Sequence, residues 1–138
     1  MRKQTDWSIK LFAFIDEVRH KPFKWGEWDC CLFSDAAIKA MTGENITPKT
    51  LKWKDKKTAI EAIRKYGGSV VESIERAAKA KKLQRIPPSF ITTGDLAVFT
   101  RDGKDLVGIS DGYHILAPGD EGIGCSDHEL ALRVWRIV

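Results

Sequence analysis

Cys30 is the residue of this chain whose type and place most suggest chemistry. It follows Asp29, which can cap a helix running through Ala36, Ala37, Ile38 and Met41 to a stop at Gly43. Cys30 then falls in the first helical turn. There the unpaired backbone N–H groups and the aligned peptide dipoles favour the thiolate, which is the nucleophilic form. Covalent catalysis needs more than position: a histidine must take the thiol proton and later give one to the leaving amine, and a third polar group must hold the ring. His114 lies on an expected strand and is the candidate base, whereas His20 and His128 read as solvent-exposed residues without chemistry.

The other reactive side chains have plainer readings. Cys31 packs as a small apolar residue, and three cysteines, two of them adjacent and the third at Cys125, do not form the even, spaced set of a disulfide framework, so free thiols are expected. Adjacent cysteines with scattered histidines do not give the ligand spacing of a zinc site, and Asp120-Glu121-Gly122 is a turn without the spacing of a calcium loop. No metal or cofactor is expected. Trp25, Trp28 and Asp29 stand beside Cys30 and are candidates to line a cleft, while Trp135 in the final strand reads as core.

These residues need a scaffold. Leu11, Phe12, Ile15 and Val18 give Trp7 to His20 the spacing of an amphipathic helix, and Lys21 to Trp28, with Pro22 and Gly26, is an aromatic loop. Further helices are expected from Asp55 to Tyr66 and, after Gly67-Gly68, from a Ser69 cap through Val70, Val71, Ile74 and Ala78. Beyond Pro87-Pro88 the pattern changes. Asp95 to Thr100, Leu106 to Ser110 and Tyr113 to Ala117 are short Val, Ile and Leu runs split by Asp102-Gly103 and Asp111-Gly112. Pro118 to Gly124 reads as a loop and Leu130 to Val138 as a closing strand. Helices followed by strands make this an α+β fold, with N-terminal helices on a small antiparallel sheet of about four to five strands and one domain over residues 1–138.

Composition sets outer bounds. With 43% hydrophobic and 30% charged residues the chain is of ordinary globular type, and no apolar run reaches the ~18 residues of a membrane span. The stretch Ile9 to Ile15 is too polar for a signal peptide, so the expected place of synthesis and folding is the cytoplasm. Between Lys49 and Arg85 twelve Lys or Arg face four Asp or Glu. A nucleic acid is one partner for such a face, but no nucleic-acid motif accompanies it, and a solvated helical face is the preferred reading.

One resemblance ties these pieces together. Trp25-Gly26, then Asp29-Cys30 opening a helix, then Gly94-Asp95-Leu96-Ala97-Val98-Phe99 opening a sheet, resembles the NlpC-type papain-like cysteine peptidases in residue types and order. The stretch Phe23 to Phe33, followed by Met41-Thr42-Gly43, further resembles uncharacterised proteins encoded by tailed phages and prophages. The resemblance implies a papain-like fold and the nucleophile position for Cys30. It also implies a histidine where this chain has Leu106, in Leu106-Val107-Gly108-Ile109, and a polar orienting residue where it has Leu116. Leucine transfers no proton. The implied role is therefore a phage tail or tail-tip component on a peptidase scaffold that has lost its dyad, made in the host cytoplasm and carried in the virion, with other tail proteins as partners. The competing role is an active peptidase or amidase that cleaves peptidoglycan peptide through Cys30, with His114 as base.

Overall fold

A computed structural model describes residues 1–138. Four helices precede the sheet: α1 (Trp7–Val18), α2 (Cys30–Thr42), α3 (Lys56–Tyr66) and α4 (Val70–Ala80). Each boundary has a local cause. The Asp29 side chain accepts from the Leu32 amide to start α2, and Gly43 ends it at φ 82°, a backbone state that suits glycine. Asp55 and Thr58 form a reciprocal capping box at α3, and the Ser69 hydroxyl caps α4.

The strands are β1 (Gln84–Ile86), β2 (Leu96–Arg101), β3 (Lys104–Ser110), β4 (His114–Gly119), β5 (Gly122–Asp127) and β6 (Ala131–Arg136). They form one antiparallel sheet in the order β1-β6-β2-β3-β4-β5. The fold is α+β, as the helix-then-strand pattern implies, but with six strands instead of four or five. The first addition is β1, three residues long and too short to show alternation, which exists because β6 offers it a ladder. The second is β5. Its glycines read as a loop in the sequence, yet Gly124 pairs with Ala117 in the ladder, and it is glycine because a side chain there would press on the Arg101 guanidinium, which bonds the Pro118 carbonyl.

Both faces of the central strands are buried. Register places Leu96, Ile109, Leu116 and Trp135 on one face and Ala97, Phe99, Ile115 and Val134 on the other, and all of them are within the core. Helix α2 packs over β3 and β4, and Leu96 and Val107 meet Ser34 of α2 and Ala77 of α4 around a small apolar cavity. Trp135 is core, as expected, and its indole N–H donates to Glu75 of α4 at 2.6 Å. No helix is long and apolar enough to cross a membrane. The cations from Lys49 to Lys65 are all exposed, and none of the seven forms an ion pair.

Candidate functional site

The first turn of α2 is built around a buried carboxylate. Asp29 Oδ1 accepts from the Leu32 amide at 3.0 Å, while Oδ2 accepts from the Gly26 amide at 3.1 Å and from the Trp53 indole N–H at 2.7 Å. One side chain thus joins the helix, the turn before it and the α2–α3 connection. Gly26 sits at φ 77° in a tight turn closed by the paired Lys24 and Trp28 backbones, and a side chain there would run into the Lys54 backbone. Glycine is required on both counts.

Cys30 opens the helix and is buried, with 6% of its surface exposed. The strand beside it supplies a donor. The Ser110 amide bonds the Asp95 carbonyl on the β2 side, so by alternation the amides of Ile109 and Val107 point towards β4. Pairing to β4 covers only Ile109 and Ser110, and the free Val107 amide is turned to Cys30. The Cys30 thiol is held below its usual range, first because the Cys31 thiol donates to it and then because the Val107 and Cys31 amides do. Burial and the Asp29 charge oppose this without reversing it. Cys31 is pushed well above the usual range, chiefly by that same hydrogen bond and by burial. Of the pair, Cys30 is therefore the thiol that ionises more readily and Cys31 the one that ionises less readily.

This arrangement predicts a titration. A lowered pKa means that the thiolate fraction rises at lower pH than for a free cysteine. Far-ultraviolet thiolate absorbance should therefore show its first step below the ordinary thiol range, and Cys31→Ala should move that step up in pH by removing the main donor. A step left in place by Cys31→Ala would refute the assignment.

The pocket beside Cys30 is lined by Trp25, Asp29, Cys31, Trp53, Asp105 and Leu106, among other residues, and by no histidine. Leu106 thus borders the pocket where the peptidase pattern has its base. Leu116 does not. It pairs with Ile109, three residues from Leu106, and so lies on the opposite face of the sheet. The β4 residues that share the Leu106 face are Ile115 and Ala117, which carry no proton either. His114 shares the Leu116 face and is half-buried, pairing with Asp127 of β5. Trp28 lines no part of the pocket. Its ring is buried against Phe14 and Phe33, under the Lys21 ammonium. Trp25 and Asp29 are the two cleft candidates that the fold places beside Cys30.

Three contacts were beyond sequence reasoning. Trp53 joins Asp29 from 24 positions away. Cys31 is the largest influence lowering the Cys30 thiol. His128 is half-buried, not exposed, with Nε2 at 2.9 Å from the hydroxyl of the fully buried Ser110. Ser110 has no exposed surface, and the pair closes the turn after β3, where the same hydroxyl accepts from the Gly112 amide. The thiols of Cys30, Cys31 and Cys125 are free, and no three His, Cys, Asp or Glu side chains converge to hold a metal ion.

No curated protein matches the chain. A family model does match, over residues 2–137, and the chain accordingly belongs to that family, DUF6950, a domain of unknown function.

Proposed function

We propose that this protein is a phage tail or tail-tip component built on an NlpC-like scaffold, acting through contacts with other tail proteins and not through hydrolysis. The observation that carries the non-hydrolytic half is the lining of the Cys30 pocket: a buried thiol whose polar neighbours are Cys31, Asp29, the Val107 amide and the exposed Asp105, whose carboxylate accepts from Thr100, with Leu106 where the base of the peptidase pattern would stand. A thiolate can form there. Acyl transfer also needs an acid for the leaving amine, and loss of general acid–base catalysis removes about 10²- to 10⁴-fold in rate. The Asp29 carboxylate is already committed to three donors. The virion half rests on the resemblance of Phe23 to Phe33 to proteins encoded by tailed phages.

Two measurements test this reading. Incubation with purified peptidoglycan should release no muropeptides, and release that disappears in Cys30→Ala would establish instead an active cysteine hydrolase. Mass spectrometry of purified particles from a phage that encodes the chain should find it in the virion; its confinement to the infected-cell lysate would overturn the tail assignment.

A further inference from the structure

The connection between α2 and α3 crosses the Cys30 pocket and is fixed at its two ends. At the first end Asp35 accepts from the Ile46 amide at 2.7 Å, the Thr47 amide at 3.1 Å and the Asn45 side chain at 2.7 Å, and Ile46 is buried. The other end is the Asp55–Thr58 capping box, where Thr58 also accepts from the Lys54 amide at 3.0 Å.

Between these anchors the chain is held lightly. Residues 49–53 make one backbone hydrogen bond, from the Leu51 amide to the Pro48 carbonyl, and Lys49, Thr50, Lys52 and Lys54 are exposed. Leu51 borders the apolar cavity beneath, and the polar tether over α2 is Trp53. Its indole donates to the buried Asp29 carboxylate, and its ring forms a wall of the Cys30 pocket and of the apolar cavity next to it. The two spaces share Cys31, Trp53 and Ile63, so the indole stands where they meet.

We infer that residues 49–53 are a strap latched by the Trp53–Asp29 hydrogen bond, and that its local opening is what admits small molecules to Cys30. The thiol is buried in the latched state. A segment with fixed ends, one backbone bond, the Leu51 side chain against the apolar cavity and one charge-assisted side-chain bond can lift without unfolding α2 or the sheet. This concerns access and holds whether or not an acyl bond ever forms at the sulfur.

The test is the rate at which N-ethylmaleimide modifies Cys30, followed by peptide mapping so that Cys31 and Cys125 are read separately. In the unaltered protein the Cys30 rate should stay flat through low urea, as local opening requires, and join the global unfolding slope only at higher urea. Trp53→Phe keeps a ring in place and removes the N–H. It should raise the low-urea rate by about tenfold or more, the weight of a hydrogen bond to a charged group. A Cys30 rate that follows the global unfolding slope from the lowest urea concentration would overturn the strap, with no variant needed. So would a folded Trp53→Phe protein labelled at the unaltered rate.

Discussion

Arg136→Ala should lower the unfolding free energy by about 3–5 kcal/mol, the usual cost of leaving one member of a buried ion pair without its partner. The Asp95 carboxylate is fully buried. It accepts from Arg136 Nε at 3.0 Å and Nη2 at 2.9 Å, and from the Thr92 amide at 2.9 Å. Arg136 is in the last strand and Asp95 at the entry to β2, so the pair fastens β6 to the start of the sheet. The same guanidinium bonds the Phe90 carbonyl, and with it the short turn before β2. Lys3 also feels the Asp95 charge, but its ammonium is itself lowered in pKa, first by burial. Arg136→Lys should lose less, keeping a charge while forfeiting the two-pronged geometry. Urea unfolding of the three proteins checks this, and a loss under about 1 kcal/mol for the alanine variant would mean that water replaces the arginine at no cost.

Asp29→Ala should cost about 3 kcal/mol or more. The cap on α2 accounts for about 0.5–2 kcal/mol of this, and the Gly26 amide and Trp53 indole would each lose a charged acceptor at about 1–3 kcal/mol when left unpaired. Asp29→Asn keeps an oxygen for one of these donors and should fall between the two. Cost is only part of the expected result: Cys30 is the next residue, so loosening the first turn also removes the frame that aims the thiol at the Val107 amide. Unfolding curves measure the first effect and the thiolate titration the second. An alanine variant as stable as the parent would mean that the three donors find water, and that Asp29 is not the hub of the site.

Much of the helical half could be read without coordinates because its signals are local. Asp29, Gly43, Asp55 and Ser69 act within a turn of where they stand, and each marks a boundary within a residue or two. The sheet was legible where Val, Ile and Leu form runs. It was not where the ladder comes from a neighbour, as for β5 with its glycines and β1 with its three residues. The site followed the same division. That Cys30 opens a helix is a local fact, and Leu106 beside it is what the peptidase resemblance implies. Leu116 went astray because parity across a hairpin depends on register, which no single strand reveals. Trp28 did so because a tryptophan beside a cleft and one in the core look alike in sequence. The contact that most changes the view of Cys30, from Trp53 to Asp29, is tertiary, and nothing in the loop between them announces it.

The position of β6 also bears on synthesis. Although it follows all the other strands in the chain, it lies between β1 and β2 and pairs with both. A nascent chain that has emerged from the ribosome only as far as β5 therefore presents β2 with an open edge, and β1 has nothing to pair with. Such long-range closure is slow by nature and leaves an adhesive strand waiting. Arrested chains of that length should be the ones that chaperones hold, and release should coincide with the arrival of Arg136 at Asp95.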